Sequence, residues 1–442
     1  MEQFIDASGG FLWIMAAFVV ALSIIVAIHE YGHYIVGRWC GIGAEVFSIG
    51  FGPVLFSRVD KRGTKWQFAA LPFGGYVKFN GDSNATSVVA DGMLTAGDHP
   101  PPRDTMLGAP LWARSLTIAA GPVFNFILSI VIFAGIGLYF GQTKSPLTIG
   151  ALPPLPYEVQ ELEEGDVILA VGGEETPDAA SMNDLASELS SEPVFDYRIL
   201  RDGEEMVVQG PHPHPARVLF VGPQTAAFDV EVKEGDVITA IDGDPIVAFQ
   251  DIIDKVTAAE GRPVVLDIWR DGRELQFTLS PRETDSPLPE GGFEKRYLIG
   301  ISGGAFFEPA TERPGVFQAI WGGVLQVWGL ITMTFEAIAA IVQGVISTCN
   351  LSGPIGIAQV SGAVASQGLD DFILFIAALS TAVGLINLFP IPVLDGGHLV
   401  FNAYEAVARK PPSQQALKIL MAFGIALLGC LMIFAIFNDL RC

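Results

Sequence analysis

The sequence predicts a polytopic α-helical membrane protein: four membrane-crossing helices, an extended hairpin beside the first, and a duplicated α/β insert between the second and third. Three observations carry this prediction. Half of the 442 residues are hydrophobic and only 17% are charged, against about 25% in a soluble domain. The charge is gathered in one place: residues 142–318 hold 33 of the 48 acidic and 13 of the 25 basic side chains, so −20 of the net −23 lies there. The flanking sequence contains uncharged runs at 7–28, 115–143, 372–394 and 419–438, each near the roughly 20 apolar residues that a bilayer requires. So acidic an insert excludes a nucleic-acid partner, which needs a basic surface.

The first run reads as an anchor rather than a cleavable leader, because Glu2 and Asp6 stand where a leader would be basic. Loop 38–114 then carries Arg38, Arg58, Lys61, Arg62, Lys65, Lys78, Arg103 and Arg114, and the loop after the third run carries Arg409, Lys410 and Lys418. Basic residues near membrane ends mark the cytoplasmic side, which puts both termini and the acidic insert on the opposite side. GDSNATSVVADG (81–92) and His99 read as cytoplasmic loop. Residues 45–79, apolar and glycine-rich around the polar VDKRGT (59–64), read as a hairpin with bulges.

The insert repeats itself. EEGDVILAVGG (163–173) returns as KEGDVITAIDG (233–243), and RILRDGEE (198–205) returns as IWRDGREL (268–275). A period near 70 residues is too long for a solenoid and fits two copies of one small domain. Short β-branched runs, a GD turn and an RDG hairpin turn make each copy mostly β, with one short helix from MNDLASEL (182–189) and from FQDIIDKVTAA (249–259). The EGDVI-x-A-x-x-G pattern resembles PDZ domains, which bind extended peptides at a sheet edge. His212 and His214, in the proline-rich GPHPHPA between the copies, read as linker. Cys40, Cys349, Cys430 and Cys442 show no metal-ligand spacing and no disulfide framework.

The chemistry sits at the end of the first run, in IHEYGHYIVG. On a helix, His29 and His33 lie one turn apart on the same face, where both can bind one Zn²⁺ with Glu30 beside them as general base. Ionisable groups at membrane depth are costly unless they serve a function. A zinc hydrolase needs a third ligand. The third run ends GLINLFPIPVLDGGHLV (384–400), where Pro390 and Pro392 break the helix and Asp395 follows. Carboxylate and imidazole both suit zinc, so His398 is a rival. Asp395 lies nearer the hydrocarbon and has the stronger need of a cation, which leaves His398 to support the turn. The two ends meet at one ion only if both runs cross in the same direction, with 115–143 as the single crossing between them. The stretch 314–346, interrupted by Glu336, several glycines, Trp321 and Trp328, is therefore expected to lie along the interface as amphipathic helix. Asn125, after Pro122, reads as interhelical glue. The rival classes are a non-catalytic scaffold that binds peptides through the repeats, which has no use for H-E-x-x-H, and a metal transporter, which needs more polar residues in several spans.

HEYGH, NLFPIPVLDGG and the repeat pair between them resemble the site-2 protease family of intramembrane zinc metalloproteases, in its proteobacterial branch. The resemblance extends through FSIGFGP (47–53), LPFGGYVKF (71–79), GPVFNF (121–126) and NLSGPIGIAQ (350–359). It implies four transmembrane helices, a membrane-reentrant β-hairpin and two periplasmic PDZ-like α/β domains in an inner-membrane protein. It implies Zn²⁺ held by His29, His33 and Asp395, Glu30 as base, and Asn387 with Pro390 and Pro392 as substrate-binding residues. The implied substrates are transmembrane proteins already trimmed by an upstream site-1 protease, among them an anti-sigma factor, and remnant signal peptides. The implied division is a first transmembrane helix at 1–37, the reentrant region at 38–112, a second helix at 113–143 and PDZ-like domains at 144–215 and 216–285. A periplasmic linker with interfacial helices at 286–370 follows, then a third transmembrane helix carrying the LDG motif at 371–401, a cytoplasmic loop at 402–413 and a fourth helix at 414–438.

Overall fold

The structure, a computed structural model, describes residues 2–81, 102–156, 161–176, 178–287 and 293–441. The loop expected at 81–92 lies outside the described residues apart from Gly81, and His99 lies outside them too. The chain forms two compact units, one of Met1–Gly135, Phe317–Ile338 and Thr348–Cys442, the other of Ile136–Val316 and Ala339–Ser347.

In the first unit, α1 (Glu2–Trp39) is one helix through the apolar run and the H-E-x-x-H motif. His29, Glu30 and His33 therefore sit inside the helix, just beyond the uncharged run 7–28. The helix stops at Gly41, whose φ of +84° is the left-handed conformation that commonly ends helices. Strands β1 (Ala44–Val59) and β2 (Lys65–Phe79) form the expected antiparallel hairpin, with repeated register shifts along its length. Asp60 holds the turn, accepting N–H bonds from Arg62 (2.8 Å) and Thr64 (3.0 Å). One end of the hairpin buries Phe47, Val77 and Phe79 against Tyr34, Met106 and Ala113. The other exposes Val54, Leu55, Phe56, Phe68 and Leu71. Helix α2 (Leu111–Phe140) follows, with Pro122 inside it.

The second unit bears out the duplication. In the first copy the sheet order is 174–175, 167–171, 195–201, 204–210, with helix α3 (Ala179–Glu188). In the second it is 244–245, 237–241, 264–270, 273–279, with helices α4 (Ala226–Asp229) and α5 (Phe249–Ala258). The repeated motifs have a shared physical reason. Arg201 donates through Nε and Nη2 to both carboxylate oxygens of buried Asp166, each at 2.7 Å. Arg270 does the same to buried Asp236, at 2.6 and 2.7 Å. Each aspartate also accepts the N–H three residues before it, from Glu163 or Lys233. The EGD turn and the RDG hairpin are thus the two halves of one bidentate ion pair, built twice.

Residues 293–316, within the segment expected as linker, instead contribute to both copies. Ile301–Ser302 pairs with Phe220–Val221, Glu308–Pro309 with Ile149–Ala151, and Thr311–Glu312 with Gln142–Thr143. Ile299 enters the core of the second copy, and Phe306 and Phe307 enter that of the first. The sequence hid this because two-residue strands carry no readable alternation.

Next comes α6 (Val316–Val342), then α7 (Pro354–Gln367), α8 (Leu369–Asn387), α9 (Asp395–Ala408) and α10 (Gln414–Arg441). Near the end of α10, Asp439 accepts N–H bonds from Gly353 (2.6 Å), Ile355 (3.0 Å) and Gly356 (3.1 Å), capping the start of α7. Cys40 and Cys430 are free thiols, whereas Cys349 is disulfide-bonded, a link not expected from the sequence. Among the described residues, five helices are long and apolar enough to cross a membrane, where four were expected: Gly10–Trp39, Leu111–Phe140, Val316–Val342, Leu369–Asn387 and Gln414–Arg441. The additional one is α6, a single continuous helix. The span expected at 371–401 is broken. It ends at Asn387, and Asp395 opens α9, so the LDG motif heads a new helix, and most of the loop expected at 402–413 belongs to it.

Asp236→Ala leaves the half-buried Arg270 guanidinium without its bidentate carboxylate partner. Losing charge-assisted hydrogen bonds of this kind costs about 2 kcal/mol. The expected result is a lower unfolding midpoint for the acidic unit, read by limited proteolysis across a denaturant series, with zinc content unchanged. Asp166→Ala should behave alike in the first copy.

Candidate metal centre

Helices α1 and α2 approach closely enough to exclude side chains. A Cβ on Gly32 would lie 2.4 Å from the Ala120 carbonyl oxygen, and a Cβ on Gly121 would lie 2.3 Å from His33 Nε2 and 2.8 Å from His29 Cε1. Both rings therefore pack against α2, edge to face with one another. There His33 Nδ1 is 2.8 Å from the Thr117 carbonyl oxygen, and His29 Nδ1 is 3.2 Å from the Asn125 amide. Thr117, Gly121 and Asn125 are spaced by four, one stripe of α2 facing one stripe of α1.

The same helix positions Asp395. Ser129 Oγ donates to the Ala377 carbonyl of α8 (2.7 Å), and Ser380 Oγ of α8 donates to the Asn125 carbonyl (3.0 Å). Small and hydroxylated residues let apolar helices pack this closely. Between α8 and α9 the backbone folds on itself. A Cβ on Gly396 would lie 2.2 Å from the Leu388 carbonyl oxygen, and one on Gly397 2.2 Å from that of Ile391. Helix α9 is fastened to the start of α2 by Arg114 Nη2 donating to Glu405 Oε1 (2.6 Å) and Asn402 Nδ2 donating to Ser115 Oγ (3.1 Å). Asp395 lies in the first turn of α9, where the helix dipole favours an anion.

These constraints bring three groups to one point. His29 Nε2 and His33 Nε2 are 3.2 Å apart, and Asp395 Oδ2 is 3.2 Å from the first and 3.5 Å from the second. Among the described residues, this is the one group of three or more His, Cys, Asp or Glu able to hold a metal. Zinc fits. A tetrahedron with bonds of about 2.05 Å has ligand-to-ligand edges of about 3.3 Å. A carbonyl oxygen only accepts, so a neutral His33 carries its proton on Nδ1 toward Thr117 and offers a lone pair at Nε2. Asp395 Oδ2 is buried and has no hydrogen-bond partner. Lone pairs turned toward one another in an apolar site call for a cation between them.

Glu30 lies against β2, where it accepts the Val77 backbone N–H. Nearby, a Cβ on Gly75 would sit 3.2 Å from Glu30 Cγ. The hairpin thus runs its backbone past the carboxylate beside the two histidines. Asn387 ends α8 and donates to the Val383 carbonyl of its own helix (3.1 Å), and Pro390 and Pro392 lie in the bend before Asp395. His398 is buried with Nδ1 unpaired and stands outside the three-residue group. In the other unit, His214 bonds Asn183 (2.8 Å), and His212 bonds the His214 carbonyl (2.9 Å). The sequence reading missed the site's dependence on α2. It took Asn125 for glue, although the spacing of Thr117, Gly121 and Asn125 was visible.

Several long apolar helices, with the H-E-x-x-H pair of α1 meeting an aspartate at the start of α9, define a membrane-embedded zinc metallopeptidase. The model of Peptidase family M50 matches residues 17–431, and the chain belongs to that family. It is 34% identical, over 100% of its own length and 99% of the relative's, to a protein of Agrobacterium fabrum named as a zinc metalloprotease. It is 32% identical to the regulator of sigma-E protease RseP of Salmonella typhimurium, over 97% of this chain and 98% of that one. A solved PDZ domain, from an SdrC-like protein of Listeria monocytogenes, is 26% identical over 20% of this chain and 84% of its own, with a TM-score of 0.16. The protein is a site-2 protease of the inner membrane, and zinc is its cofactor.

Gly121→Ala puts a methyl group into the space the two imidazoles occupy. Loss of zinc is the expected result, read by metal analysis of the purified protein. Ala at Gly135, where a Cβ meets nothing within 4 Å, is the matched control and should retain zinc.

Proposed function

We propose that this protease holds its zinc through His29, His33 and Asp395, uses Glu30 as general base, and cuts within transmembrane segments of pre-trimmed membrane proteins. The observation that carries this reading is the convergence of the three ligand atoms within 3.2–3.5 Å. When bound, the ion supplies Lewis acidity to water and to the scissile carbonyl. Glu30 takes the proton of the attacking water and returns it to the leaving amine nitrogen. Asn387, with Pro390 and Pro392, holds the substrate backbone at the bend before Asp395.

A transmembrane helix has its amides bonded internally and must be unwound before attack. The hairpin suits that task, because a two-stranded sheet leaves a free edge on each strand and an extended segment can pair with it. Substrates of this class include an anti-sigma factor, in keeping with the named role of the Salmonella relative, and remnant signal peptides. An upstream protease removes the substrate's periplasmic part first. The PDZ-like repeats act before the chemistry, as a gate or peptide-binding module.

The reading places α1, α2, α8 and α10 across the membrane, with both termini and the repeats in the periplasm. Helix α6 lies along the interface. Its support is that both its ends are tied to the same β-rich unit: Thr311 and Glu312 pair with Thr143 and Gln142 just before it, and the Ser347 N–H donates to Asp285 (2.7 Å) just after it.

Glu30→Gln should abolish cleavage of a model transmembrane substrate while keeping zinc. Asp395→Ala should lose both, and His398→Ala should keep zinc. Zinc loss in Glu30→Gln equal to that in His29→Ala would reassign Glu30 as a ligand. Reporter fusions at residues 215 and 350 should both read periplasmic and a fusion at 411 cytoplasmic. A cytoplasmic signal at 350 would make α6 a span.

A further inference from the structure

We infer that the side-chain oxygen of Asn125 accepts the Nδ1–H of His29, and so turns the Nε2 lone pair of that ring toward the metal. This makes Asn125 a positioning residue. The inference rests on the ligand assignment proposed above and extends it by one group.

Asn125 is fully buried, and its amide nitrogen Nδ2 lies 3.2 Å from His29 Nδ1 while Oδ1 has no partner. A half-turn of the amide exchanges nitrogen and oxygen. As placed, Oδ1 is left without a donor, so the surroundings do not fix this orientation and the imidazole decides. If Nδ2 donates, His29 must accept at Nδ1 and carry its proton on Nε2. That proton would then lie where Nε2 faces His33 Nε2 and Asp395 Oδ2, both at 3.2 Å. If Oδ1 accepts, the proton sits on Nδ1 and Nε2 is free to bind metal, the tautomer that Thr117 already imposes on His33. The residue is well placed for this role. Its own carbonyl accepts from Ser380 Oγ (3.0 Å), which pins it at the crossing of α2 and α8.

The test is zinc affinity of the full-length, detergent-solubilised protein, measured by competition with a chromophoric chelator, together with substrate cleavage at limiting and at excess zinc. Asn125→Leu removes the acceptor and should weaken zinc by about 10–100-fold, the usual effect of losing such a partner, with cleavage restored by excess zinc. Asn125→Asp keeps an acceptor oxygen and should bind zinc at least as well as the wild type. Gly135→Ala, on the same helix where a Cβ meets nothing within 4 Å, leaves the amide beside His29 and should match the wild type. Wild-type affinity in Asn125→Leu would overturn the inference. So would a loss in Asn125→Asp equal to that in Asn125→Leu, since the amide N–H would then be the working group and Asn125 only a tie between helices. If His29→Ala itself retains zinc, the ligand assignment fails and the inference falls with it.

Discussion

The close approach of α1 and α2 at Gly32 and Gly121 is the contact from which the site is built. At this spacing there is room for two imidazole rings and nothing else. The helices gain little from hydrophobic burial, since lipid is as apolar as the neighbouring helix. Tight packing and a few buried polar bonds must hold them instead. Those bonds fall on one stripe of α2: Thr117 and Asn125 take the two histidines, and the Asn125 carbonyl together with Ser129 takes α8. A single helix thus brings together side chains that are more than 360 residues apart in the chain.

The break between α8 and α9 serves the same end by another route. A carboxylate in the middle of a membrane helix would face lipid or a packed neighbour. Placed in the first turn of a new helix, Asp395 gains the favourable end of the helix dipole and can turn toward the histidines. The bend exposes backbone that lipid could not satisfy, and it persists because protein surrounds it. Gly424 of α10 packs against Pro392 and Val393, and the carbonyls of Leu388 and Ile391 close over Gly396 and Gly397. The same bend carries the proline pair and follows Asn387, so the residues proposed to hold substrate share the element that presents Asp395.

The acidic unit solves an ordinary problem of small domains, too little core for their size. Each copy adds a buried bidentate Arg–Asp pair to a compact apolar cluster, and both borrow aromatic or aliphatic residues from the segment at 299–307. That segment stitches the copies together before the chain enters α6. The two repeats are consequently one folded unit, and a deletion that stops at residue 285 would leave Ile299, Phe306 and Phe307 without the cores they enter.

Much of this was legible in the sequence. Uncharged runs located the apolar helices, because a bilayer demands length and composition that little else explains. The repeat gave two like domains, and H-E-x-x-H gave a pair of ligands one helical turn apart, because that spacing is fixed by the helix itself. The need for a third ligand pointed from the first run to the third, and in the structure Asp395 does lie beside His29 and His33. The sequence could not decide what depends on side chains meeting across elements. Nothing local told that Asn125 would face His29 rather than another helix, that Asp166 and Arg201 would pair across 35 residues, or that 301–312 would return to the repeats as two-residue strands. Sequence by itself determined which segments are apolar, which residues can ligate and which domains are copies, since these follow from composition and from periods of one element. Only the tertiary structure decided where the third run breaks and which stripe of α2 meets the histidines. Those outcomes are set by close packing between surfaces that no single segment contains.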